Sequence, residues 1–104
     1  LILTGGFNVY PSQVEAAIRD MDGVADVAVV GMDAGARGET VVAAVVPAEG
    51  AAPGAITLES VRAHAERALP HYALPRRLEI IDEMPRSVIG KVMRRQVREM
   101  LEGR

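Results

Sequence analysis

Two apolar runs, VADVAVVGM (24–32) and TVVAAVVP (40–47), are separated only by the polar, glycine-containing stretch DAGARGE (33–39). Both are rich in valine, whose branched side chain suits a pleated surface. Strands joined by so short a connection pair antiparallel, because parallel neighbours need a crossover of a dozen or more residues. The second run is apolar at consecutive positions rather than alternate ones, which predicts a central strand covered on both faces. Any fold for this chain must supply those covers.

Helical patterns on either side of the pair can do so. In NVYPSQVEAAIRDM, Val14, Ala17, Ile18 and Met21 recur at the helical period. Pro11 suits the first helical position, where its missing N–H is not needed. Gln13 is placed to reach back to a free N–H of the first turn, and Gly23 ends the segment. Thr57 caps a second helix with Glu59 in its first turn and Leu58, Val61, Ala65, Ala68 and Leu69 as its apolar stripe. LPHYALP (69–75) breaks it, and RLEIID (77–82) follows as a further strand. The turn-rich EMPRSVIGK (83–91) leads to a last helix with Ile89, Met93, Val97 and Met100 on one face. Arg94, Arg95 and Arg98 fall off that stripe, as a solvated or interdomain face. LILT (1–4) is a short first strand ended by Gly5-Gly6, and AEGAAPGA (48–55) is a small-residue loop, the position most tolerant of insertion. The expected fold is α+β: a small, mostly antiparallel sheet of about three strands with about three helices packed on it.

Composition narrows the functions. The chain has 104 residues, enough for one domain, and the LILTGG opening reads as the interior of a longer polypeptide. A net charge of −2 supplies no basic field for nucleic acid. With no cysteine, disulfides, thiolate metal sites and cysteine nucleophiles are excluded, in keeping with a cytoplasmic location. No apolar run is long enough to span a membrane. His64 and His71 have no ligand cluster around them, so no metal site is expected; His64 lies off its helix's apolar stripe and is expected in solvent. Glu79, Asp82 and Glu83 read as solubilising charges.

Two short motifs bear on chemistry. Gly90-Lys91 lacks the rest of a phosphate-binding loop: Pro85 stands where the first glycine belongs and Val92 where a serine or threonine would hold magnesium. What remains is a mobile positive charge on a turn, suited to meeting a separate anion, or a plain solvated lysine before a helix. The paired glycines of TGGFNVYPSQVE can bring backbone close to a ligand, or simply make a turn.

The whole set is more specific than its parts. GGFNVYPSQVE (5–15), Gly38-Glu39 and LPHYALPRRLEIIDEMPRSVIGKVMRRQVR (69–98), in this order and spacing, resemble the C-terminal domain of the adenylate-forming superfamily. That superfamily includes acyl-CoA synthetases, peptide-synthetase adenylation domains and firefly luciferase. The form of the motifs is most similar to bacterial long- or medium-chain fatty-acid–CoA ligases. The resemblance implies that residues 1–104 are a mobile lid beside a large N-terminal adenylation domain, which holds most of the ATP and acyl site and, with a hinge, would precede Leu1. Its substrates would be a fatty acid, ATP and CoA, with Mg2+ accompanying ATP and bound outside residues 1–104. By motif, Lys91 is the lysine that enters the active site for adenylation, with Gly90 giving it access. Gly6 is the glycine of the loop that turns to the acyl-adenylate and shapes the CoA channel, with Phe7 and Asn8 lining it. Gly38-Glu39 carries a structural role only. Gln13 departs from the glutamate found in many members. Two alternatives stand beside this reading: a peptide-synthetase lid whose acceptor is a carrier protein, and a stand-alone α+β module binding a small ligand.

Overall fold

The two valine-rich runs pair as the sequence expects. In a computed structural model, which describes all residues 1–104, Val24–Asp33 (β3) and Glu39–Pro47 (β4) form an antiparallel ribbon in register from Val27↔Val45 to Asp33↔Glu39. The strand Arg77–Ile80 (β5) joins the other edge of β4 in parallel, so β4 is central. Two further strands, Ile2–Thr4 (β1) and Phe7–Val9 (β2), form a separate antiparallel hairpin. Two of the three strand pairings are therefore antiparallel. The parallel one follows from the long crossover between β4 and β5, which contains a helix.

Three helices cover the sheet on its two faces. Pro11–Arg19 (α1) and Leu58–Ala65 (α2) lie on one side, Arg94–Glu102 (α3) on the other. Val27 and Val29 of β3 with Val41, Ala43 and Val45 of β4 meet Val14, Ile18, Val61 and Ala65 of α1 and α2. The alternate residues Ala28, Val30, Val42 and Ala44 meet Val97 and Leu101 of α3, together with Ile81 and Met84. This explains why TVVAAVVP lacks alternation: both of its faces are core. Each fully buried valine or isoleucine contributes roughly 1.5–3 kcal/mol by leaving water.

Several boundaries differ from expectation. The Phe7–Val9 strand is too short to show a period, so the sequence hid it. The first helix stops at Arg19, capped by Asp20, rather than running to Gly23, and Gln13 makes no side-chain cap; Pro11 occupies the first turn and Tyr10 precedes it. Thr57 does cap α2, in a reciprocal box with Ser60. That helix is over by Ala65, which leaves Ala68 exposed. Ile89 is not on α3 at all: it sits in the preceding turn, largely exposed, and Leu101 takes the buried position beside Val97.

Candidate functional site

The β1–β2 hairpin turns through Gly5 and Gly6, with φ of 54° and 85°. Two consecutive positive φ values in a two-residue loop are the type I′ geometry, whose twist matches that of the flanking strands. A Cβ built on Gly6 would meet nothing within 4 Å. Glycine is required there by backbone angle, and the space beside it is open to an incoming group. Phe7 pairs with Thr4 across the hairpin, and its ring stacks on Tyr72 with centroids 4.3 Å apart and planes 15° from parallel. Asn8 is exposed opposite Leu3, while Val9 and Ile2 are buried and anchor the base. The Gly5 N–H donates to the Arg37 carbonyl at 3.1 Å, and the Leu3 N–H donates to Glu39 Oε1 at 3.2 Å. The hairpin thus rests on the connection between β3 and β4.

Gly90 and Lys91 occupy a second, tighter turn. Arg86 and Val92 face each other in an antiparallel bridge. Inside it the Ser87 N–H donates to the Lys91 carbonyl at 2.8 Å, and the Gly90 N–H donates to the Ser87 carbonyl at 2.9 Å. Gly90 has φ of 85°, a conformation costly for residues bearing a Cβ. Lys91 is exposed and pairs with no carboxylate. Val88 and Ile89 stand at the tip, 106% and 85% exposed, so the tip packs on nothing in this chain.

The structure therefore brings Gly6, Phe7 and Asn8 together, and Gly90 with Lys91, but keeps the two groups apart. The hairpin is bound to Arg37 and Gly38 beyond one end of the β3–β4 ribbon. The lysine turn is bound through Arg86 to Asp26, near the other end. The seven residue steps from Asp26 to Asp33 span roughly 23 Å at about 3.3 Å per residue.

The arginines of α3 correct the sequence expectation. Arg94 is not a solvated charge: its Nε and Nη2 grip Glu15 at 2.9 and 2.6 Å. Glu15 is buried on α1, and its Oε2 also accepts the Val29 N–H at 2.8 Å. One carboxylate thus ties α1, β3 and α3 together. The Glu15 carboxylate holds the Arg94 guanidinium above its ordinary pKa, and partial burial opposes that rise. Arg98 reaches Glu39 at 3.5 Å, which gives Glu39 the structural role expected of it. Only Arg95 remains largely in solvent. A signal for Glu15 was present: a charged residue beside Val14 on the buried side of α1.

His64 is likewise not free in solvent. Its Nε2 lies 2.7 Å from Asp20 Oδ1, joining the end of α1 to α2. The hydrogen bond from His64 holds the Asp20 carboxyl below the usual carboxylate range. Glu79, read as solubilising, is lowered first by its hydrogen bond from Arg77 and then by Arg104. No group of three or more His, Asp or Glu side chains converges to hold a metal ion. No helix is long and apolar enough to cross a membrane.

Comparison with known proteins adds a family to this geometry. The model of the AMP-binding enzyme C-terminal domain matches residues 13–91. That span ends on Lys91 and begins just after the glycine hairpin. The chain is 38% identical over 104 residues to a long-chain-fatty-acid–CoA ligase of Escherichia coli O157:H7, covering all of this chain and 18% of that protein. It is 46% identical over 93 residues to a probable 2-succinylbenzoate–CoA ligase of Mycobacterium tuberculosis strain H37Rv, covering 89% of this chain and 24% of that protein. Among solved structures, a Brucella canis acyl-CoA synthetase superposes with a TM-score of 0.89 at 30% identity, over 99% of this chain and 19% of that one. The chain spans about a fifth of the length of the relatives it matches.

Proposed function

From the chain's membership of the AMP-binding enzyme C-terminal domain family, we propose that it is the lid domain of an ATP-dependent fatty-acid–CoA ligase. Residues 1–104 work against a large N-terminal adenylation domain of the same polypeptide, which binds the acyl group and most of ATP. The reaction has two halves. The acid carboxylate attacks the α-phosphate of ATP, giving acyl-AMP and pyrophosphate. The CoA thiol then attacks the acyl carbon and releases AMP.

The first half brings two anions together. Lys91 offsets their repulsion with a charge already in place, and a preorganised charge in a water-poor site stabilises the transition state strongly. Its lack of a carboxylate partner within the chain leaves that charge available. The second half needs a channel for a thiol on a long arm. Gly6, with open space where a Cβ would stand, lets the hairpin backbone approach the adenylate, and Phe7 and Asn8 line the approach. Mg2+ travels with the phosphates of ATP and is held by the adenylation domain.

The observation that carries this reading is the anchoring of the two turns toward opposite ends of one continuous ribbon. Anchors roughly 23 Å apart along the ribbon favour a lid that offers one turn at a time to a single centre and exchanges them by rotating. The experiment is a product balance. The full-length polypeptide, given ATP, a fatty acid and CoA, should form acyl-CoA, AMP and pyrophosphate in equal amounts. AMP formation that ignores CoA but follows an added carrier protein would replace this reading with a peptide-synthetase lid.

A further inference from the structure

We propose that Arg86 and Asp26 are a positioning pair for Lys91, a role that rests on the adenylation reading above. Val88 and Ile89 leave the tip of the lysine turn without packing, so the direction of Lys91 is decided at the base of the turn. There the peptide that leads into Lys91 is held along both edges. Its carbonyl, from Gly90, accepts a hydrogen bond from Arg86 Nη1 at 2.5 Å. Its N–H, from Lys91, donates to Ser87 Oγ at 3.2 Å. The next peptide is held as well, since the Lys91 carbonyl accepts the Ser87 N–H at 2.8 Å. Peptide units are planar, so holding the peptides on both sides of Lys91 sets the direction of its Cα–Cβ bond.

Arg86 carries that restraint out to the sheet. Its Nη2 reaches Asp26 Oδ2 at 2.5 Å, and Asp26 Oδ1 in turn accepts the Val27 N–H at 2.9 Å. This is the one side-chain hydrogen bond that leaves the turn. The fork geometry matters: one guanidinium spans a carbonyl and a carboxylate at once, which an ammonium cannot reproduce. Asp26 is 20% exposed at its side chain and Arg86 42%, so the pair is a restraint on direction more than a source of stability. A charge displaced by about 1 Å at a reacting phosphate is expected to lose on the order of 10²-fold in rate.

The test uses the full-length enzyme and two single-turnover assays: pyrophosphate release from ATP and acid, and thioester formation from preformed acyl-adenylate. Lys91→Ala is run alongside. Arg86→Met should slow pyrophosphate release by roughly 10- to 100-fold and leave thioester formation within about threefold. Arg86→Lys should fall between, and Asp26→Asn should slow the same half only. Should Arg86→Met fail to fold, the latter two variants carry the test. If Lys91→Ala slows pyrophosphate release while the folded Arg86 and Asp26 variants do not, the positioning role is overturned. Equal slowing of both halves by Arg86→Met overturns it as well. If Lys91→Ala itself leaves pyrophosphate release intact, the adenylation reading falls first and the pair's role with it.

Discussion

Replacing Arg94 with methionine removes the guanidinium from Glu15 while keeping much of the apolar stem. Glu15 then keeps one hydrogen bond, from the Val29 N–H, of the three it has now. Its side chain is 5% exposed, so water cannot take the place of the lost partner, whereas Arg94 is 39% exposed and is partly hydrated already. Breaking a fully buried ion pair by deleting one member costs about 3–5 kcal/mol. Discounting for the exposed end of Arg94 gives about 2–3 kcal/mol here. The double variant Glu15→Gln/Arg94→Met keeps an acceptor for Val29 and no buried charge. It should lose less than Arg94→Met alone, about 1 kcal/mol. Urea unfolding of the 104-residue chain at pH 7 measures both, with an unchanged m-value as the sign of an intact fold. Arg94→Met within 0.5 kcal/mol of the parent, or a double variant less stable than the single, would refute the account of Glu15 as a buried charge that depends on its partner.

Other perturbations separate local effects. Thr57→Ala removes half of the reciprocal cap with Ser60 and should cost about 1 kcal/mol, read by the same unfolding assay. The Asp20 carboxyl, lowered in the folded state by His64, contributes stability that is present above its unfolded pKa and lost as pH falls through its folded value. An NMR titration should show its midpoint below the usual carboxylate range, and His64→Ala should return it upward. Gly6→Ala meets no steric obstacle, so its cost comes from the positive φ alone, about 1–2 kcal/mol; a thermal or urea unfolding curve indistinguishable from the parent would contradict the assigned turn.

Long apolar runs and a sustained helical period are legible in the sequence. The apolar runs 24–32 and 40–47 announced a covered antiparallel ribbon, and the spacing of Val14 and Ile18 announced α1. Phe7–Val9 was not legible as a strand because three residues carry no period; only the paired glycines marked its turn. Ile89 fell into register with Val97 on paper, but the bridge between Arg86 and Val92 delays α3 until Arg94. Of the candidate site, Lys91 and Gly6 are visible through their motifs, as sequence neighbours of glycines. The ion pairs that brace the lysine turn and the three packed elements are not. Arg86 meets Asp26 across 60 positions and Arg94 meets Glu15 across 79, and no local pattern joins residues so distant. Arg94 and Arg98 looked solvated because the carboxylates that receive them lie on α1 and at the start of β4.

On this proposal the two turns serve different halves of one reaction. The deciding measurement compares Lys91→Ala and Gly6→Leu in the full-length enzyme, each in the two half-reactions. Lys91→Ala should slow pyrophosphate release by on the order of 10²-fold or more and spare transfer from preformed acyl-adenylate to CoA. Gly6→Leu should do the reverse, with acyl-adenylate accumulating on the enzyme. Equal loss of both halves in either variant, with the fold intact, or the two patterns exchanged, would contradict the account.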